Sequence, residues 1–195
     1  KIEIEIMGAP IGRQDQYAAS YGGVNSIRFG RKGVSVEPME IGNDMLAEIS
    51  SNFTLVFTGM TRSASKVLAE ESEDEEDKSR RMREIRDHAD QAVMMFQNGD
   101  LDSLGSLLND TWIAKRGISS MITNPSIDEL YGRVMSSGAK GAKLLGAGNG
   151  GFLLVYGESG LRETLQRELG PDFRTFPLEI DFSGSQIIHG THSGE

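Results

Sequence analysis

The sequence predicts an α+β chain, and three observations predict it. Short apolar runs with period-2 alternation are separated by glycine-rich breaks, and longer stretches carry apolar residues at three- and four-residue steps. In its second part the chain runs strand, helices, strand, strand, helix, strand. That order is the β-α-β-β-α-β of a ferredoxin-like lobe with extra helices inserted in the first crossover, preceded here by a short helix and a β-hairpin.

Taken in order, Ile2, Ile4 and Ile6 alternate with Lys1, Glu3 and Glu5, the period of a half-buried strand, until Gly8, Ala9 and Pro10 interrupt it. Residues 12–21 predict a short polar and aromatic helix closed by Gly22 and Gly23. The runs 24–29 and 34–39 flank Gly30-Arg31-Lys32-Gly33, whose glycines suit the positive φ of a hairpin turn. An apolar strand at 52–57 leads into Thr58-Gly59-Met60. Met82, Ile85, Ala89, Ala92, Val93 and Phe96 then form one helical stripe that Gly99 ends, and Met94 and Met95 read as core filler. Asp100 is a candidate N-cap for a helix with Leu101, Leu104, Leu108, Trp112 and Lys115 along one side. Asn124 before Pro125 supplies a cap and a first-turn proline, with Asp128 and Glu129 following and Gly138 as terminator. Strands at 142–145 and 152–156 flank a glycine-rich link, a helix spans 160–169, and Phe176, Leu178, Ile180 and Phe182 alternate along a strand at 175–182.

Composition narrows the function. A chain of 195 residues is long enough for one substantial core. Without cysteine it has no disulfide, thiolate metal site or cysteine nucleophile, and with only His88, His189 and His192 a histidine cluster is disfavoured. Twenty basic against 29 acidic residues give a net charge of −9, which argues against nucleic acid and against an anionic membrane surface as partners. No run approaches the roughly 20 apolar residues of a membrane span. Residues 70–77 are acidic except Ser72 and read as a solvated loop entering a charged helix face. The expectation is a cytoplasmic protein.

Two segments can carry chemistry. Gly146, Gly148 and Gly151 fall in a formal Gly-x-Gly-x-x-Gly, but Phe152-Leu153-Leu154-Val155-Tyr156 follows as a strand, so the helix a dinucleotide fingerprint requires is missing. A loop of this kind can still bring backbone N–H groups close to a phosphate, or it can be a plain hairpin. Gly12-Arg13-Gln14-Asp15-Gln16-Tyr17 sets a carboxylate beside an arginine and two carboxamides, where Asp15 can orient or accept a hydroxyl proton, or serve as a cap.

Four blocks in register carry a resemblance: 10–23 (PIGRQDQYAASYGG), 58–65 (TGMTRSAS), Trp112-Ile113-Ala114-Lys115, and 141–152 (GAKLLGAGNGGF). They occur in the order seen in the GHMP sugar kinases, and the chain most resembles the D-glycero-D-manno-heptose 7-phosphate kinase branch, from about its first residue to Ile188. The resemblance implies a two-lobed ATP:sugar phosphotransferase, with the period-2 segment at 2–6 ending a helix rather than forming a strand. It implies residues 1–45 as the tail of the N-terminal lobe and 46–195 as the C-terminal domain. Asp15 would be the catalytic base, and Gly146, Gly148, Asn149, Gly150 and Gly151 would support the phosphate-binding loop, with Asn149 standing where glycine is usual.

Gln14, Tyr17, Arg62 and Lys115 are candidates for binding the sugar phosphate substrate. The family's phosphate-binding loop and Mg²⁺ carboxylate have no match here, so the resemblance implies ATP and Mg²⁺ as cofactors held mainly by a missing N-terminal lobe, and no metal ligand in this chain. Two alternatives stay open: a kinase for another sugar such as L-fucose, and a noncatalytic ferredoxin-like ligand-binding module.

Overall fold

The computed structural model of the chain describes residues 12–60 and 75–186. They fall into two compact units, Asn43–Leu178 and Gly12–Gly42 with residues 179–186. The strand or helix expected at 2–6, Arg62, and the tail with His189 and His192 lie outside the described residues.

In the smaller unit, α1 (Gln14–Tyr21) is followed by β1 (Asn25–Gly30) and β2 (Gly33–Pro38). The strands pair antiparallel from Asn25↔Pro38 to Gly30↔Gly33, the expected hairpin, with the positive φ found at Gly33 (133°) and not at Gly30. Gly22 closes the helix at φ 66°, and a Cβ there would stand 2.6 Å from the Gly184 amide nitrogen, so only glycine fits. Gly23 N–H donates to the Asp181 carbonyl at 2.7 Å and Ser185 N–H to that of Ser20 at 3.0 Å, which ties residues 181–185 to the end of α1. No described residue of this unit is buried.

The larger unit comprises α2 (Asn43–Asn52), β3 (Phe53–Phe57), α3 (Glu75–Gln97), α4 (Leu101–Arg116), α5 (Pro125–Ser136), β4 (Gly141–Leu144), β5 (Phe152–Tyr156), α6 (Leu161–Leu169) and β6 (Thr175–Pro177). Its strands form one antiparallel sheet in the order β4-β5-β3-β6. Val56, Ala142, Leu144, Leu153 and Val155 pack with Ile127, Leu130 and Val134 of α5, Leu161, Leu165 and Leu169 of α6, and Trp112 of α4. Burying side chains of this size stabilises the fold by about 1.5–3 kcal/mol each.

Local signals place most of these elements. Asp100 caps α4 by accepting from Ser103 N–H at 3.0 Å, and Asn124 caps α5 by accepting from Ser126 and Ile127 N–H at 3.0 and 3.1 Å. Glu75, Glu76 and Asp77 form the first turn of α3, where acidic side chains complement the helix dipole, so this end of the acidic block is helix rather than loop.

Three expectations differ from what is observed, and one helix was not expected. The last strand ends at Pro177 instead of reaching 182: Pro177 stands opposite Thr54 between bonding positions of the edge strand, where its missing N–H costs no ladder bond, and Leu178 N–H still donates to the Phe53 carbonyl at a long 3.4 Å. The helix α2 carries no sequence expectation. Met94, expected in the core, is 56% exposed on α3, as is Met82. Leu104 and Leu108 are only half-buried, since α4 buries Gly105, Leu107, Thr111 and Ala114 as well as Leu101 and Trp112.

Candidate functional site

The glycine loop begins where β4 and β5 part, beyond a last pairing of Leu145 N–H with the Phe152 carbonyl at 2.9 Å. Gly146, Gly148, Gly150 and Gly151 all have positive φ, from 72° to 151°. At Gly148 and Gly150 space is also exhausted: a Cβ would meet the Ile122 carbonyl oxygen at 2.7 Å and the Met60 carbonyl oxygen at 2.9 Å. Those two glycines are demanded by the protein's own backbone. Gly146 and Gly151 have nothing within 4 Å of an added Cβ.

Fastenings on several sides hold the loop. Gly151 N–H donates to the Met60 carbonyl at 2.9 Å, and the Gly151 carbonyl accepts from the Thr58 N–H at 3.0 Å and the Thr58 hydroxyl at 2.9 Å. Asn149 N–H donates to the Ile122 carbonyl at 2.8 Å. Asn149 is 6% exposed and is the only non-glycine among the described residues with positive φ, at 59°. Its side-chain oxygen accepts from Asn124 Nδ2 at 2.5 Å. Lys115 Nζ, at the end of α4, donates to the carbonyls of Gly146 and of Leu144, the latter at 3.5 Å. Among the described residues, the amides of Gly146, Ala147, Gly148 and Gly150 have no acceptor.

Around this loop, α4 and α5 are joined by Arg116. Its guanidinium pairs with Asp128 at 2.8 Å and lies 5.8 Å from the Trp112 ring centroid and 5.9 Å from that of Tyr131. The Thr123 hydroxyl donates to Asp128 at 2.8 Å.

Of the residues singled out from sequence, Lys115 and the 146–151 loop are brought together, with Lys115 turned to backbone carbonyls. Asp15, Gln14 and Tyr17 belong to the smaller unit. Asp15 and Gln14 are exposed on the first turn of α1. Tyr17 is half-buried, stacked on Tyr21 with centroids 6.4 Å apart and edge-on to Phe29 at 5.6 Å. Two residues of helix separate Asp15 from Tyr17 by about 200°, so the two side chains leave opposite sides of α1. Asn124 and Thr58 are the loop contacts whose role the sequence did not reveal: the cap signal at Asn124 was legible, its second bond to Asn149 was not.

Residues 91–172 match a family model described as GHMP kinases C terminal. This chain carries a GHMP kinase C-terminal domain. A curated relative, the D-glycero-alpha-D-manno-heptose 7-phosphate kinase of Campylobacter jejuni, is 31% identical over 80% of this chain and 47% of its own length. The bifunctional fucokinase/GDP-fucose pyrophosphorylase of Arabidopsis thaliana is 24% identical over 90% of this chain and 18% of its own length.

Among solved structures, a D-glycero-D-manno-heptose 1-phosphate kinase from Bacteriodes thetaiotaomicron superposes with a TM-score of 0.65 at 22% identity, covering 96% of this chain and 53% of that one, a likeness of fold. The chain thus spans about half the length of the heptose kinases it matches. The matched residues include the glycine loop, Lys115 and Asn124, whereas Asp15 and Thr58 precede residue 91. GHMP kinases use ATP with Mg²⁺. Among the described residues no group of three or more His, Asp or Glu side chains is placed to hold a metal ion.

Proposed function

We propose that the chain is the C-terminal portion of an ATP-dependent sugar kinase that phosphorylates a hydroxyl of a phosphorylated heptose. The observation that carries this reading is the glycine loop. Four amides without an acceptor among the described residues sit on backbone fastened by Lys115, Asn124, Met60 and Thr58. Fixed N–H dipoles of that kind suit an anion, because they stabilise charge without reorganising when it arrives.

ATP supplies the phosphoryl group. In this reading the loop orients a phosphate, and Asp15 orients the attacking hydroxyl and finally takes its proton. Phosphoryl transfer is largely loose, so positioning and charge neutralisation contribute more than the proton step. Gln14 and Arg62 complete the substrate contacts we propose. Residues 1–45 are assigned to the tail of an N-terminal lobe and 46–195 to the C-terminal domain. The lack of any buried residue among 12–42 supports that assignment, since a hairpin and a two-turn helix seldom hold a fold alone. ATP and Mg²⁺ ligands are assigned to the remainder of that lobe.

Two observations favour a heptose phosphate as acceptor: the name of the 31% identical relative, and the resemblance blocks that span both the Asp15 segment and the loop. The likeness to a fucokinase makes L-fucose the acceptor to test against it. The experiment is an ATP-coupled assay of the full-length protein over heptose 1-phosphates, heptose 7-phosphates, L-fucose, galactose and mevalonate. The expected result is the highest kcat/KM on a heptose phosphate. Preference for L-fucose would replace the acceptor, and no turnover with any of them would overturn the kinase reading.

A further inference from the structure

Asn149 unites three properties that a plain turn residue does not need together: positive φ, near-complete burial, and a side chain engaged by a residue 25 positions earlier. Its partner Asn124 is spent on three bonds. The Asn124 oxygen accepts from Ser126 and Ile127 N–H and so starts α5, leaving Nδ2 to donate to Asn149. The loop is therefore joined to the N-terminus of α5 by one pair of amide side chains. The backbone bond from Asn149 to Ile122 runs beside it, and Gly148 is pressed on Ile122. A glycine at 149 would suit the backbone but could not make the cross-link.

We propose that Asn124 and Asn149 form a side-chain clamp that positions the glycine loop for phosphoryl transfer, with Lys115 holding the Gly146 carbonyl. Both are positioning residues that act through the loop backbone. The clamp fixes the segment on which the amides of Gly146, Ala147, Gly148 and Gly150, without an acceptor among the described residues, lie, so it acts on the orientation of a bound phosphate rather than on affinity for the sugar. This rests on the kinase reading above.

Amide side chains allow a test by exchanging donor and acceptor. Asn124→Ser keeps a good helix cap but removes the Nδ2 donor. Asn124→Asp keeps the cap and offers an oxygen that a rotated Asn149 amide can meet with its own NH₂. Asn149→Asp likewise keeps an acceptor for Asn124 in a residue that tolerates positive φ. The double variant N124D/N149D sets two carboxylates against each other.

In the full-length protein, Asn124→Ser and the double variant are expected to speed hydrogen exchange of the bonded amides of Asn149 and Gly151 about tenfold, measured without substrate. They should also lower kcat about tenfold with KM for the sugar unchanged, while Asn124→Asp and Asn149→Asp, which keep a donor–acceptor pair, hold that exchange within about twofold of wild type. Unchanged exchange in Asn124→Ser would overturn the clamp itself. Faster exchange with unchanged kcat would overturn its part in catalysis and leave the kinase reading intact. Equally faster exchange in all four variants would also overturn the clamp, since the pairing chemistry would then not matter. A wild-type protein that phosphorylates none of the sugars tested would overturn the kinase reading, and the proposed catalytic part with it, whatever the exchange data showed.

Discussion

Asp15 has its carboxylate exposed on the first turn of α1, while Tyr17 is turned away into an aromatic cluster with Tyr21 and Phe29. If Asp15 takes the hydroxyl proton, Asn at that position removes the acceptor and keeps the shape. The full-length Asp15→Asn protein is expected to lose about 10²-fold or more in kcat, and near wild-type turnover would remove Asp15 from the role.

Lys143 shows a different kind of constraint. It sits on β4 opposite Leu154 of β5, with Leu55 of β3 next in the row, and burial pushes its ammonium pKa below the ordinary 10.5. Charging a desolvated amine opposes folding. The native state releases it first as pH rises, so stability improves from the folded pKa up to the unfolded one. Lys143→Met should therefore raise the unfolding midpoint at pH 7, with the gain shrinking as pH approaches 10.5. Equal midpoints at pH 7 would count against it.

At the scale of elements, the closest packing joins α4 to the sheet. A Cβ on Gly105 would collide with the Tyr156 ring, and one on Gly141 with the Gly105 carbonyl, so helix and edge strand meet backbone to backbone. The same contact seats the Tyr156 hydroxyl, which donates to Asp102 at 2.9 Å while Lys140 pairs with that carboxylate at 2.8 Å. Burial and then the Asp102 bond push the Tyr156 hydroxyl pKa up to about 12. Gly105→Ala is expected to destabilise by about 1–3 kcal/mol, seen as a lower denaturant midpoint with an unchanged slope. An unchanged midpoint would mean that α4 shifts to make room.

At the scale of the whole molecule, the two units differ in what holds them. Asn43–Leu178 contains the described hydrophobic core, and Gly12–Gly42 with 179–186 has no buried residue. A polypeptide of residues 43–178 is expected to unfold in one cooperative transition by calorimetry, and a 12–42 peptide to show none. The 195-residue chain alone is expected to show negligible ATP-dependent sugar phosphorylation, because the ATP cradle is assigned to polypeptide beyond it; robust turnover would refute that assignment.

The helix caps at Asp100 and Asn124, the hairpin glycines Gly30 and Gly33, and the glycine loop were all legible in the sequence. Each is a local event, settled by φ, ψ and hydrogen bonds within a few residues, and the strand and helix order that follows from them was legible for the same reason. Tertiary structure alone decided that Lys115 holds the Gly146 carbonyl, that Asn149 is gripped by Asn124, that Tyr17 meets Phe29, and that the last strand stops at Pro177. Those outcomes depend on groups 25 or more positions apart, or on which face of an element finds a partner, and no local preference specifies either.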